Sequence, residues 1–296
     1  MIRLAIRCRP ADAERVLAEL LELVPGGVEE ERGDAYVEFG IYGAPGELPT
    51  LPDLEAATGE ALVEVTSSEI PDDWADRWRD FHGAVVIGER LRVRPSWLDR
   101  PDDGEEGAID VVIDPARAFG TGAHATTRLC LELLLELAAA GESAGPLADW
   151  GTGSGVLAIA AAKLGFSPVT GCDHEPAALE AAAANAAANG VELELTRVNL
   201  REGWPPVAST VTANLTSPVL LAIAERLGAG EDPPPETLIC SGLLAGEIGD
   251  VARAFESCGF TERERRADGE WRGLLLQRWA VAMPRGRRRG FAASGG

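Results

Sequence analysis

One short stretch narrows the choice of folds more than any other. Residues 147–150 (Leu-Ala-Asp-Trp) read as a strand and 156–164 as a helix. Between them stand Gly151-Thr152-Gly153-Ser154-Gly155. Alternate glycines at a strand-to-helix turn allow a sharp reversal and let a ligand approach the backbone closely. The surroundings share this rhythm. Strand patterns over 109–113, 147–150, 169–172, 193–198, 210–213 and 237–241 alternate with helical patterns over 126–137, 156–164, 177–189, 219–227 and 246–257. Such alternation predicts a doubly wound parallel sheet covered on both faces. Two strand-like segments, 262–266 and 271–279, follow, and Asp268-Gly269 between them is a hairpin signal.

The N-terminal third has a different pattern. Ile2, Leu4, Ile6 and Cys8 alternate with Arg and Ala, as in a half-buried strand. Val16, Leu17, Leu20, Leu21 and Val24 have helical spacing, and Gly26-Gly27 ends the run. Residues 36–39 and 61–65 read as two more strands, separated by an acidic, Pro/Gly-rich stretch over 44–60. This order suggests a small ferredoxin-like α+β unit. A short helix carrying Trp74, Trp78 and Phe81, then a hairpin over 85–94, complete a first domain placed at 1–95. A linker is expected at 96–110, the larger domain at 111–280, and a basic disordered tail at 281–296.

Charge and residue usage exclude several functions. The chain has 27 basic and 48 acidic residues, a net −21, and Lys163 is the single lysine. Six arginines and no acid lie between Trp271 and Gly296, which leaves 21 basic against 48 acidic residues, or −27, in the remainder. Such a body is a poor general binder of nucleic-acid backbone. Lys163 precedes Leu164, so there is no Walker A loop. No apolar run is long enough to span a membrane, and the N-terminus lacks the apolar core of a secretory signal. The cysteines (Cys8, Cys130, Cys172, Cys240, Cys258) and histidines (His82, His124, His174) are scattered. That pattern fits reduced thiols in a cytoplasmic protein and no metal cluster.

The glycine loop reads as a nucleotide-type cofactor site. Its G-x-G-x-G spacing departs from the G-x-G-x-x-G dinucleotide fingerprint, because position 156 is Val. Asp173 ends the next strand, where a carboxylate can accept both ribose hydroxyls of either NAD or S-adenosyl-L-methionine. The glycine spacing favours S-adenosyl-L-methionine, which has no phosphate to cradle. Asn199 follows the next strand, at the adenine end; a plain loop asparagine is the alternative. Asn214 ends the strand over 210–213, at the edge where open α/β sheets bind ligands. Its carboxamide could orient a substrate amine, and the alternative is a helix cap. The segment 114–127 places Phe119, Gly120, Thr121, Gly122, His124, Thr126 and Thr127 ahead of a helix. These could bind an amino-acid carboxylate or simply cap that helix.

Taken together, Ala118-Phe119-Gly120-Thr121-Gly122 with His124 and Thr126-Thr127 resembles the signature of the ribosomal protein L-eleven methyltransferase family. So do the glycine loop, Asp173, Glu175-Pro176-Ala177, Asn185, Asn189-Gly190, Asn214, Ser241-Gly242-Leu243-Leu244 and Glu270-Trp271. Upstream, Trp74, Trp78, Phe81 and Pro95-Ser96-Trp97 resemble the junction between that family's two domains. Two departures stand out: Thr152 replaces the family's usual Cys, and Asn214 is followed by Leu215-Thr216-Ser217 rather than Ile-Leu-Ala.

The resemblance implies a seven-stranded, Rossmann-like methyltransferase domain behind a substrate-recognition domain. It implies S-adenosyl-L-methionine as cofactor, with contacts at Thr127, Gly151, Asp173 and Asn214; the residues themselves add Phe119, whose ring face could meet the sulfonium, with Thr121, Gly153 and Asn199 as further candidate cofactor contacts. Asn214 and the Leu215 carbonyl would orient the acceptor amine. The implied substrate is a basic large-subunit ribosomal protein, methylated on lysine side chains or the N-terminal amine, with no direct nucleic-acid or membrane partner. Other acceptors, a protein or a small-molecule amine, remain open, as does a non-catalytic binding module that keeps the cofactor fold.

Overall fold

The computed structural model describes residues 2–23, 28–33, 35–43, 48–69, 83–99, 108–114, 124–230 and 234–279. The expected helix around Trp74, most of the expected linker, Phe119, Thr121 and the basic tail lie outside the described residues.

The first unit runs β1 (Ile2–Cys8), α1 (Ala13–Leu23), β2 (Glu29–Arg32), β3 (Val37–Gly43), α2 (Leu51–Thr58) and β4 (Leu62–Glu69). Its strands form an antiparallel sheet in the order β2-β3-β1-β4, the ferredoxin-like arrangement. The period of two does the sorting. Leu4, Ile6 and Cys8 stand opposite Ile41, Phe39 and Val37, and all six are buried beneath Val16, Leu20 and Leu54 of the helices. On the other face, Arg3 and Arg7 both reach Glu38, at 2.8 and 2.7 Å, and Arg7 also reaches Glu64 at 2.7 Å.

Two elements were not expected. β2 is Glu-Glu-Glu-Arg and has no apolar alternation. It is the edge strand, where charges deter pairing with another chain. α2 lies in the Pro/Gly-rich stretch; Pro52 is tolerated there because the first helical turn needs no donor from it.

A three-stranded sheet follows: β5 (Val85–Ile87), β6 (Leu91–Arg94) and β7 (Ile109–Val112), with β6 and β7 parallel. The sequence places 85–94 with the N-terminal domain, but its packing differs. Ile87, Leu91, Val93 and Val111 join the same core as Leu131, Leu134 and Leu135 of α3 (Ala125–Ala139) and Leu157 and Ile159 of α4 (Val156–Leu164). Arg94 grips both carboxylate oxygens of Asp110 across this sheet, and Lys163 donates to the Asp110 carbonyl at 2.5 Å.

The large sheet contains β8 (Leu147–Trp150), β9 (Val169–Asp173), β10 (Glu194–Arg197), β11 (Thr210–Asn214), β12 (Thr237–Leu244), β13 (Phe260–Asp268) and β14 (Trp271–Arg278). Its order is β10-β9-β8-β11-β12-β14-β13. The first five strands are parallel, while β14 and β13 close the edge as an antiparallel hairpin. The remaining helices are α5 (Pro176–Asn189), α6 (Ser217–Ala229) and α7 (Ile248–Ser257). Alternation divides the core into two layers. Ile239 and Leu275 face α3 and α4, whereas Leu238, Cys240, Leu274 and Leu276 face α6 and α7. Burial on both faces explains the nearly continuous apolar strands.

Candidate functional site

The chain leaves β8 towards β9 on one side, while β11 lies on the other. The carboxyl ends of β8 and β11 therefore flank a topological switch point, where open α/β sheets form their ligand crevice. Gly151 follows β8, and Asn214 is the last residue of β11.

The glycine loop is held from below. Gly151 and Thr152 both donate backbone N–H groups to the Cys172 carbonyl, at 2.8 and 2.9 Å. Gly151, Gly153 and Gly155 have φ of +75°, +53° and +81°, in the left-handed region that suits glycine. A Cβ on Gly155 would stand 3.2 Å from the Ala182 backbone, so the third glycine also lets α4 approach α5.

Asp173 is aimed by the same loop. Its Oδ2 accepts from Gly153 N at 3.0 Å and its Oδ1 from Glu175 N at 3.1 Å. His174 Nδ1 also stands 3.3 Å from Oδ1; a carboxylate has about four acceptor positions, so lone pairs remain on it for hydroxyl donors. An oriented carboxylate beside an open glycine backbone fits the ribose of a nucleoside cofactor.

Across the crevice, Asn214 Nδ2 donates to Thr127 Oγ1 at 3.4 Å. Among the described residues, no donor reaches Asn214 Oδ1. The helix-capping alternative for Asn214 does not hold, because Thr216 occupies the N-cap position of α6. Thr126 and Thr127 do not cap α3 either. His124 takes that position and accepts from Thr126 N through Nδ1 at 3.4 Å, which leaves the Thr127 hydroxyl for Asn214. The His124 ring also stands edge-on to Trp271, with centroids 5.1 Å apart. Burial, then the Arg128 charge, lower its pKa.

Leu215 closes the space between the two sides. A Cβ on Gly151 would lie 2.5 Å from Leu215 Cδ2. Leu215 N donates to the Ser241 carbonyl at 3.0 Å. Gly242, at φ +85°, is in direct backbone contact with Leu215: a Cβ there would meet the Leu215 carbonyl oxygen at 2.5 Å.

Asn199 is less engaged with the crevice. It is exposed after β10, and its Oδ1 accepts from Arg201 N at 3.1 Å, as in an ordinary asparagine turn.

Several polar residues had no role assigned from the sequence. Asn189 makes both strand-like hydrogen bonds to Val112, at 2.9 and 2.6 Å. Asn185 donates to the Ser154 carbonyl at 2.8 Å and accepts from Asp114 N at 3.0 Å. The two asparagines, four residues apart on one face of α5, tie the chain at 112–114 to the glycine loop. That spacing in an alanine-rich helix was the available signal. Asp149, buried beneath the loop, accepts from Thr152 Oγ1 at 2.8 Å and from Thr212 Oγ1 at 2.6 Å.

Among the described residues, no cluster of three or more His, Cys, Asp or Glu could hold a metal, and no helix is long and apolar enough to cross a membrane.

Residues 50–278 match the family model for ribosomal protein L11 methyltransferase (PrmA). A ribosomal protein L11 methyltransferase of Pelotomaculum thermopropionicum is 40% identical over 221 residues, covering 74% of this chain and 70% of that protein. Another, from Syntrophotalea carbinolica, is 37% identical over 229 residues, covering 75% and 70%. Among solved structures, a ribosomal protein L11 methylase from Lactobacillus delbrueckii subsp. bulgaricus is 29% identical. It superposes with a TM-score of 0.58 over 66% of this chain and 98% of that one.

Proposed function

The chain belongs to the ribosomal protein L11 methyltransferase family, and on that premise we propose that it methylates amines of ribosomal protein L11 with S-adenosyl-L-methionine as methyl donor. The observation that carries this reading is the pairing of Gly153 and Asp173 on one side of the switch-point crevice with Asn214 on the other.

The bound cofactor supplies an electrophilic methyl on a sulfonium. Gly151 and Gly153 hold the cofactor's backbone-facing side, and Asp173 accepts its ribose hydroxyls. Thr127 fixes the Asn214 amide, so that Oδ1 faces the acceptor. An ammonium has no lone pair, so the acceptor amine must arrive neutral. Asn214 Oδ1 and the Leu215 carbonyl accept its N–H groups and turn the lone pair towards the methyl. Alignment and exclusion of water then supply most of the acceleration. Leu215, packed on Gly151, contributes to that exclusion. Phe119 and Thr121 complete the cofactor side in this reading, and Asn199 lines its adenine end.

The four-stranded N-terminal unit takes the role of substrate recognition, and the seven-stranded domain that of transfer. The hairpin over 85–94 belongs with the transfer domain because its apolar residues share that core. A basic substrate is drawn towards an acidic body by long-range attraction.

The reading is tested by incubating the protein with S-adenosyl-L-methionine and extracted ribosomal proteins, followed by mass spectrometry. Methyl groups on L11 amines are the expected product. Methylation of RNA or of a small-molecule amine, with L11 unmodified, would replace the substrate assignment; no transfer at all would favour a binding module.

A further inference from the structure

We infer that Asp149 is a positioning residue that locks the cofactor loop to the strand carrying Asn214, through Thr152 on one side and Thr212 on the other. The inference rests on the cofactor and acceptor sides assigned above.

Asp149 lies on β8 directly opposite Thr212 of β11 in the parallel register. Both are buried, and Thr212 Oγ1 donates to Asp149 Oδ1 at 2.6 Å. The other oxygen, Oδ2, accepts from Thr152 Oγ1 at 2.8 Å. Thr152 sits between Gly151 and Gly153 of the loop and has little freedom. Its backbone is tied to Cys172, and its side chain rests on Gly171, where a Cβ would stand 3.0 Å from Oγ1 and 3.2 Å from Cβ. Thr212 is two residues before Asn214, so their side chains share one face of the sheet. A single carboxylate thus spans the switch point, with one arm on each wall of the crevice.

The arrangement is unlike an ordinary buried acid. Buried carboxylates are usually paired with a cation, yet among the described residues no Arg, Lys or His forms an ion pair with Asp149. Its surroundings are Cys172 and Asp173 of β9, Cys130 of α3, the Ala158 backbone of α4, and the two threonines. Two hydroxyl donors stand where a counter-charge would. Hydrogen bonds to a charged acceptor are stronger than neutral ones, so the two are held together at full strength only in the ionised form. Burial pushes the Asp149 pKa up to about 6, and the Thr212 and Thr152 hydroxyls oppose that rise. Protonation turns one oxygen from acceptor to donor and releases one arm.

The two arms should have separable effects. S-adenosylhomocysteine affinity is measured by calorimetry and methyl transfer under saturating cofactor. T152V should weaken S-adenosylhomocysteine about tenfold. T212V should leave that affinity within about twofold and lower kcat about tenfold. T152S should restore wild-type affinity, and T152C, a weaker donor, replaces T152V if that variant does not fold. Wild-type affinity should decline as pH falls from 7 to 5, and D149N should flatten that decline. His124, whose pKa is lowered by burial and then by the Arg128 charge, is unchanged in D149N.

Parallel losses in T152V and T212V, no loss in either, or an unchanged acid decline in D149N would overturn the inference. Failure of the wild-type protein to bind S-adenosylhomocysteine would instead overturn the functional reading, and the inference with it.

Discussion

The two large sheets place their polar residues on opposite principles. In the four-stranded sheet they share one face: Arg3 and Arg7 close over a buried Glu38, Arg7 also reaches the exposed Glu64, and the other face is apolar. In the seven-stranded sheet the edge strand β13 also carries ion pairs, from Arg263 to Glu142 and from Arg266 to Glu132 and Glu136, but the central strands are covered on both faces, and their polar residues gather near the carboxyl ends of β8, β9 and β11. Asp149, Thr152, Asp173 and Thr212 are all buried there. An antiparallel sheet with one solvated face can carry charge at little expense. Polar groups inside a doubly covered sheet lose hydration and must find fixed partners. Such groups are therefore held in fixed orientations, as a transfer site requires.

The contrast can be broken by mutation, and the largest effect should come from the crevice. Asn214→Ala should lower kcat about 100-fold with little change in melting temperature, because Asn214 ends its strand and makes one long hydrogen bond. Turnover near wild type would remove Asn214 from the reaction.

Next is Gly242→Ala. The added Cβ would meet the Leu215 backbone and must adopt a positive φ. A loss of about 2–3 kcal/mol in denaturant unfolding is expected, together with reduced transfer. Wild-type stability would show that the loop after Asn214 yields freely.

The two regions should also respond oppositely to acid. Burial raises the folded pKa of Asp149 to about 6, above the ordinary aspartate value near 3.9, so the folded state takes up its proton first. Stability contributed here rises as pH falls from about 7 to 4. The gain is about 2 kcal/mol, and D149N should abolish it in unfolding measurements at pH 7.5 and 5. Glu38 behaves the other way. Burial raises its pKa, but hydrogen bonds from Arg7 and Arg3 outweigh burial and hold it below the usual value. Its stabilising effect is present above the unfolded pKa, near 4.3, and is lost as pH drops below that. Loss of the N-terminal sheet at the same pH as the large sheet would contradict this division.

The smallest effect is expected for Arg7→Ala. Arg3 still reaches Glu38, so unfolding stability should change little, with S-adenosylhomocysteine affinity unchanged. A drop in affinity would couple the two sheets more closely than their chemistry suggests.

The legible parts of the sequence were those where one period dominates. The helix over 156–164 lies between a left-handed Gly155 and a left-handed Gly165, and its bounds agree with the apolar pattern. The hairpin was readable from Asp268-Gly269, although the two-residue loop lies one position on: Asp268 pairs with Trp271, and Gly269 supplies the positive φ at the first position of the Gly269-Glu270 turn. β2 and α2 were hidden for physical reasons: an all-charged edge strand has no period, and a short helix starting beside a proline lacks a long one.

The site was legible where a residue type implied its chemistry, as with Asp173 and Asn214. It was not legible where three-dimensional pairing assigns the role. Threonine at 127 looks like a cap, yet the cap is His124 and the Thr127 hydroxyl meets Asn214. Asp149 looks like part of a strand, and only the register that brings Thr212 opposite it reveals its connections.

The most direct test of the central claim is a single-turnover assay with purified ribosomal protein L11, excess wild-type protein and S-adenosyl-L-methionine, read by intact-mass spectrometry. The account expects L11 to gain methyl groups on amines at a rate that rises with pH as those amines lose their protons. Unmodified L11, under conditions where the protein demonstrably binds the cofactor, would contradict it.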